Sequence, residues 1–333
     1  MRTDKTILVT GANGVLASNT IIELLSKGYH VLGMLRNKDK YVGPTHKNLK
    51  LIVSDILNKE EVSDVTRNCS AIIHAAGLTD QSVVGYQHYH EVNVDGTQNL
   101  IDQAVKNGVE KFIYVSSANV FGYGSGLKCG DESSEMKYPF TKSNYAISKS
   151  VAQRCAFSST GEMEVVAVNP TFIIGAYDSK PSSGRLVLMG INKKIVFAPP
   201  GGKNFVSAVD VAKGIIKAME IGKNKESYLL SNENLSYVQF FKRLRNVSAN
   251  KFIIVRLPKT LMRIIGVFGE CARFLGVKTE LSITNTKILC EHTYYSNKKS
   301  QNELRMNYET IDRGISNSVR WFQNCQTKKA SQF

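Results

Sequence analysis

The chain has 333 residues, 42% of them hydrophobic, which suits one large domain with a full core and a smaller appended lobe. No apolar run approaches a membrane span, and the first strand-like run starts too early to leave room for a secretory leader. The net charge of +15 is uneven: residues 1–190 carry 19 Lys and Arg against 18 Asp and Glu, whereas residues 191–333 carry 24 against 10. A basic second part asks for a negative partner, either an anionic membrane surface or an anionic substrate; a merely solvated basic lobe is the plain alternative. Nucleic acid is excluded as an expectation, because no recognition module or interleaved aromatic platform is present. Six widely spaced cysteines without a C-x-x-C argue for reduced thiols and a cytosolic setting. His88 and His90 lack further ligands nearby, so no metal site is expected.

In chain order, Lys5 to Thr10 reads as a buried strand and runs directly into Gly11-Ala12-Asn13-Gly14-Val15-Leu16-Ala17. Ser18 to Lys27 follows as a helix, with Ile21, Ile22, Leu24 and Leu25 apolar and Gly28 as its stop. Strand, glycine turn and helix is the arrangement in which backbone N–H groups and a helix N-terminus receive a pyrophosphate. Gly11 permits the tight turn, Gly14 lets phosphate approach the backbone, and Ala17 allows close packing; Asn13, Val15 and Leu16 complete the candidate contacts. The second strand, His30–Leu35, ends at Arg36. An acidic residue there would bind the ribose 2′-hydroxyl of NAD. Arginine suits a 2′-phosphate instead, so the expected cofactor is NADP(H).

Further strand-like runs lie at Lys50–Val53, Ala71–His74, Lys111–Ser116 and Glu164–Asn169, with helical stretches such as Val94–Asn107 and Tyr145–Phe157 between them. That alternation predicts an α/β fold, a doubly wound parallel sheet covered on both faces. After Pro170 the alternation fades into Gly/Pro/Ser loops. The expected division is a nucleotide-binding domain over residues 1–175 and a basic substrate-binding lobe over 176–333 that shares strands with it.

Tyr145 and Lys149 stand four residues apart in N-Y-A-I-S-K, hence on one helix face, and Ser117 precedes them in V-S-S-A-N-V-F-G. A phenol titrates near ~10, too high for a base at neutral pH. A neighbouring ammonium favours phenolate, so Lys149 is expected to lower the Tyr145 pKa. Ser117 would hold the substrate oxygen. The trio is suited to moving a proton on and off an alcohol oxygen.

These segments together resemble the extended short-chain dehydrogenases/reductases, the epimerase/dehydratase superfamily, almost end to end. The turn T-G-x-x-G-x-x-A is present from Thr10 to Ala17. Asp55 and Ile56 look like the pair beside the adenine, and His74-Ala75-Ala76-Gly77 like the fourth-strand motif under the cofactor. Asn93-Val94-Asp95-Gly96-Thr97 matches a helix segment, Asn169-Pro170-Thr171 the turn bordering the nicotinamide, and Phe205 to Ala212 a later F-V-x-V-x-D-V-A segment. The resemblance implies that Ser117, Tyr145 and Lys149 are catalytic. It also implies that Asp55, Ile56, Ala75, Ala76, Gly77, Asn93, Pro170 and Thr171 join the glycine turn in holding the cofactor, and it admits a homodimer.

Reduction or oxidation of a carbinol, sugar epimerisation and dehydration all occur in such proteins. Ala118-Asn119 follows Ser117 where dehydratases of this kind place an acidic pair, which argues against dehydration. Nucleotide-sugar epimerases carry an Arg before the F-V-x-V-x-D segment to clamp a diphosphate; this chain has Lys203-Asn204 there, with Arg185 or Lys203 as substitutes. The remaining branch contains dihydroflavonol reductases and 3β-hydroxysteroid dehydrogenases, which Tyr294 to Lys299 and Glu303-Leu304 also resemble. It implies a bulky apolar substrate such as a sterol, a 3-ketosphingoid base or an aromatic ketone. A 4-epimerase and a non-enzymatic NADP-binding regulator are the alternatives. Pro258 to Gly276 is amphipathic, with Leu261, Ile264, Ile265, Phe268, Ala272 and Leu275 on its apolar side. It is expected either to pack over the substrate cleft or to lie on a membrane surface.

Overall fold

The computed structural model describes residues 5–126, 128–159 and 161–330. Six strands come from the first half: β1 (Thr6–Thr10), β2 (His30–Leu35), β3 (Leu49–Val53), β4 (Ala71–His74), β5 (Lys111–Val115) and β6 (Glu164–Pro170). They match the sequence expectation to within a residue at each end. Seven more follow: β7 (Phe172–Ile174), β8 (Ile195–Ala198), β9 (Gly202–Ser207), β10 (Ser227–Leu230), β11 (Glu233–Ser236), β12 (Ile253–Arg256) and β13 (His292–Thr293). The main sheet has seven strands in the order β10-β6-β5-β4-β1-β2-β3, all pairings parallel. Strands at its centre are continuous apolar runs because both faces are covered.

One face packs under helices Val15–Ser26 and Ala208–Ile221, the other under Lys59–Thr66, Gly96–Lys106 and Asn144–Phe157. The first helix begins at Val15, three residues before the expected Ser18. Gly14 caps it, so the glycine turn feeds straight into the first helical turn. The helix expected from Val94 begins at Gly96, preceded by a π-helical segment, His90–Asp95. Such segments often mark functional positions.

The seventh strand and the helix Ala208–Ile221 come from beyond residue 176 yet complete the first layer. The second lobe keeps a core of its own around Phe205, Tyr237, Phe240 and Phe241, where the Phe205 and Phe240 rings stack at 4.4 Å. Its mixed sheet joins β11, β9, β13 and β7, with β7 leading directly out of β6. The two lobes therefore meet in one continuous wall at the carboxyl end of β6.

The amphipathic helix is Lys259–Phe274, capped by Pro258. Its buried residues are Met262, Gly266 and Gly269, and the two glycines meet the segment that leads into Ile283–Cys290. A Cβ on Gly266 would lie 2.3 Å from Thr286 Oγ1, and one on Gly269 2.5 Å from the Leu281 carbonyl oxygen. With that face spent on packing, Phe268, Phe274 and Leu275 stay exposed at 71%, 92% and 78%.

Candidate active site

A cavity of about 1230 Å³ opens at the carboxyl ends of the parallel strands, where strand order reverses between β1 and β4. Its floor is the glycine turn. Gly11 takes φ +70°, and a Cβ there would sit 2.9 Å from Ala76 Cα, so only glycine fits against the end of β4. Gly14 N–H donates to the Gly11 carbonyl at 2.8 Å, closing the turn. The helix that follows has no side-chain cap and no acidic residue in its first turn. Its leading N–H groups and its positive dipole end are thus free for an anion, which fits a dinucleotide pyrophosphate.

Behind the turn runs a buried hydrogen-bond chain whose proton positions can be read. Ala76 N–H donates to Thr10 Oγ1 at 3.1 Å, leaving the Thr10 hydroxyl to donate to His74 Nδ1 at 2.8 Å. On the other side Thr97 Oγ1 donates to the Asn93 carbonyl at 2.6 Å and therefore accepts from His74 Nε2–H at 2.9 Å. His74 is neutral, with its pKa driven down to about 3 by burial and by Lys149. Asn93 continues the chain: its amide donates to the Leu78 carbonyl and to Ser148 Oγ, which donates to the Tyr145 carbonyl at 2.9 Å. A rigid polar strut thus ties the turn to the helix that carries the trio.

Ser117, Tyr145 and Lys149 all reach the cavity, brought there by the end of β5 and the first turns of Asn144–Phe157. Ser143 caps that helix from its side chain. Ser117 Oγ accepts from Asn119 N–H at 3.2 Å, and Asn169 Nδ2 donates to the Ser117 carbonyl at 3.1 Å. Lys149 Nζ donates to the Val115 carbonyl at 2.7 Å and lies 4.6 Å from the Tyr114 ring centroid. Burial lowers its pKa to about 7. At Tyr145 the expected lowering by Lys149 does not hold. Burial raises the phenol, and Ser117 rather than Lys149 is the group that pulls it down. The physical reason is that burial dominates at Tyr145, while Lys149, itself desolvated, turns its ammonium to the Val115 carbonyl.

Gly11, Asn13, Gly14, Val15, Leu16, Arg36, Asp55, Ile56, Ala75, Ala76, Gly77, Pro170 and Thr171 line the same cavity. Asn93 is buried behind that lining, with both ends of its amide bonded to Leu78 and Ser148. Its part is to position the strand end and the trio's helix. Sequence reasoning missed His74, Thr10, Thr97 and Asn169 as supports. All four stand inside the quoted motifs, and Thr10 and His74 are polar residues closing otherwise apolar strands. Among the described residues no cluster of three metal-ligating side chains occurs.

The turn, the trio and the parallel sheet together define a dinucleotide-dependent oxidoreductase. The chain belongs to the NAD dependent epimerase/dehydratase family, whose profile matches residues 7–231. It is 26% identical over 326 residues to "Putative dihydroflavonol 4-reductase" of Synechocystis sp., covering 95% of this chain and 94% of that one. It is 23% identical over 320 residues to "Sterol-4-alpha-carboxylate 3-dehydrogenase, decarboxylating" of Dictyostelium discoideum, covering 91% and 96%. In fold it is similar to the crystal structure of gox2253, with TM-score 0.81, 24% identity and coverage of 96% and 98%.

Proposed function

We propose that this protein reduces a ketone on a bulky apolar molecule, or oxidises the matching alcohol, with NADP(H) as the hydride partner. The observation that carries this reading is an intact Ser117, Tyr145 and Lys149 trio opening on a cavity whose opposite wall is apolar in part. Phe172 and Ile173 of β7 with Leu281, Ile288 and Leu289 supply its apolar part, beside polar residues such as Asn204, Asn285 and Thr286. The names of the two relatives, a dihydroflavonol 4-reductase and a sterol-carboxylate 3-dehydrogenase, support a substrate of that kind. Arg36 supports NADP(H): it lines the cavity beside Ser54 and Asp55, is exposed, and has no carboxylate within ion-pair distance among the described residues. A 2′-phosphate supplies the anion that its planar fork lacks.

When bound, NADPH supplies the hydride. Ser117 Oγ–H and Tyr145 Oη–H donate to the carbonyl oxygen and draw charge onto it, and Tyr145 gives up its proton as the alkoxide forms. A phenol held above its ordinary pKa is protonated at neutral pH, the correct state for that donation. Lys149 stands where its remaining N–H bonds can hold the cofactor's ribose. A nucleotide-sugar epimerase reading is weakened by Arg185. Its guanidinium makes a bidentate pair with Glu280 at 2.6 and 2.7 Å and is not free to clamp a diphosphate.

The exposed face of Lys259–Phe274 supports access from an anionic bilayer. Ile264, Val267, Phe268, Phe274 and Leu275 form an unpaired apolar stripe, with Lys259 and Arg263 beside it in the basic half of the chain. Arg273 faces inward, donating to the carbonyls of Thr279 and Gln81, so it anchors the helix. The neighbouring helix Ile283–Cys290 and Leu281 line the cavity from within. A bilayer-dissolved substrate therefore has a short route in. The test of the function is NADPH oxidation in the presence of fractionated lipid extract, with products identified by mass spectrometry. A reduced apolar ketone is the expected product, and NADPH binding without oxidation of any fraction or of a ketone panel overturns the reading.

A further inference from the structure

The helix Asn144–Phe157 carries a further buried polar residue on the face of the trio. Tyr145, Lys149 and Gln153 stand at steps of four along it. The Gln153 side chain is the middle of a relay between two strands. Its Nε2 donates to Ser227 Oγ, at the start of β10, at 3.0 Å, and its Oε1 accepts from Asn169 Nδ2 at 2.8 Å. The same Asn169 amide donates to the Ser117 carbonyl at 3.1 Å.

Orientation in the relay runs outward from Ser117. A carbonyl only accepts, so Asn169 must turn its amide N–H groups towards it, and Gln153 must then offer its oxygen to the second N–H. Asn169 is fully buried, and this orientation leaves its Oδ1 with no hydrogen-bond partner among the described residues. A buried acceptor left unpaired is destabilising. What the arrangement gains is a hold on backbone that the sheet has released. Pairing of β5 with β6 ends at Val115 opposite Val168, with Ser116 N–H on the Val168 carbonyl at 2.8 Å. Past that point the Ser117 carbonyl accepts a local turn bond from Val120 N–H at 3.2 Å, and Asn169 ties it to the distant helix. Lys149 holds the same strand end two residues earlier, at the Val115 carbonyl.

We propose that Gln153 is a positioning residue: through Asn169 it fixes the Ser117 backbone against the helix that carries Tyr145, and so sets the separation of the two hydroxyls that meet the substrate carbonyl. This rests on the reading of Ser117 and Tyr145 as the donors to that carbonyl. A misplacement of about 1 Å between reacting groups can cost about a hundredfold in rate, so a loosened relay is felt in kcat before it is felt in binding.

The experiment assays the full chain with NADPH and methyl 3-oxocholanoate. Gln153→Met keeps the size of the side chain and removes both hydrogen bonds. Its kcat should fall about tenfold or more, with KM and the NADPH Kd within about twofold of wild type. Gln153→Glu keeps an acceptor for Asn169 and should recover most of that rate. In a Ser117→Ala background Gln153→Met should cost about twofold or less, because the group it positions is already gone. Equal losses in both backgrounds, or a lower melting temperature with kcat unchanged, overturn the proposal. A second readout needs no substrate: the Cζ NMR signal of Tyr145 in isotope-labelled protein, since the Ser117 hydroxyl acts on that phenol. Ser117→Ala and Gln153→Met should move it in the same direction, and a signal that either variant leaves in place overturns the proposal. If instead the reductase reading is wrong, no ketone oxidises NADPH, and the Tyr145 signal alone decides whether Gln153 holds Ser117.

Discussion

The cofactor side and the substrate side of the cavity are built by different means. On the cofactor side a chain of hydrogen bonds runs from Ala76 through Thr10, His74, Thr97, Asn93 and Ser148 to Tyr145, and each member is satisfied by the next. On the other side β7 and Ile283–Cys290 supply apolar packing among polar neighbours such as Asn204 and Asn285, and the half-buried Lys203 lies against the Phe172 ring. The first arrangement fixes geometry to within a hydrogen bond and suits a ligand of constant shape. The second fixes a volume and a charge, which leaves the substrate to be chosen by fit. On the proposed reading, chemistry is held rigid while specificity is set by the lobe that packs against it.

Breaking the rigid side should produce the largest effect. Tyr145→Phe removes one oxygen and leaves the strut intact, so turnover should fall by about a hundredfold or more while NADPH affinity stays near wild type. Steady-state rates on the true substrate, with NADPH titrated by fluorescence, check both halves; near-normal turnover would remove Tyr145 from the mechanism. Arg36→Asp tests the edge of the same side. Loss of a charge-assisted bond and gain of a repelling carboxylate should swing the NADPH-to-NADH affinity ratio by about tenfold or more. A wild type that binds NADH as tightly as NADPH already contradicts the assignment.

The outer surface of the substrate lobe can be weakened separately. Phe268→Ser with Leu275→Ser should lower flotation with anionic vesicles by about tenfold or more without touching turnover of a water-soluble ketone, since each side chain, inserted only in part, contributes about 0.75–1.5 kcal/mol. Raised salt should weaken the wild-type protein's binding too, because screening acts on the basic residues. Wild type that fails to float with anionic vesicles at low salt removes the bilayer from the account, and equal flotation with neutral ones removes the part given to charge.

The smallest effect is thermodynamic and concerns the boundary between the two sides. Lys149 has a folded-state pKa of about 7 against an ordinary value near 10.5. The unfolded chain therefore binds the extra proton between those values, and wild-type stability gains from this group as pH rises through that window. Below pH ~7 the penalty is complete. Lys149→Met should accordingly melt several degrees higher than wild type near pH 6, inactive but more stable, with the gap narrowing towards pH 9. A gap that is constant with pH would show that Lys149 is not desolvated in the folded protein.

The chain's local patterns carried the cofactor side. Apolar runs placed six strands of the main sheet to within a residue at each end, because a strand buried on both faces needs an uninterrupted apolar stretch. The glycine turn was equally legible, since positive φ at Gly11 and contact with Ala76 leave a local requirement that only one residue type meets. Spacing on one helix face brought Tyr145 and Lys149 together, and Ser117 was placed by motif. What local pattern could not carry was anything decided by a long-range partner. The first layer's seventh strand comes from Ser227–Leu230, and the Asn93 amide is tied at both ends to Leu78 and Ser148. The same holds for charge: Arg185 is consumed by Glu280 and Lys203 is left unpaired, although in sequence the two looked interchangeable. Helix periodicity found the amphipathic segment 258–276. Only packing decided that Met262, Gly266 and Gly269 make its buried face while Phe268 and Leu275 stay exposed. Sequence fixes what a residue is able to do within its own turn or strand. Desolvation, ion pairing and exposure depend on which distant segment arrives beside it, and those are settled by the tertiary fold.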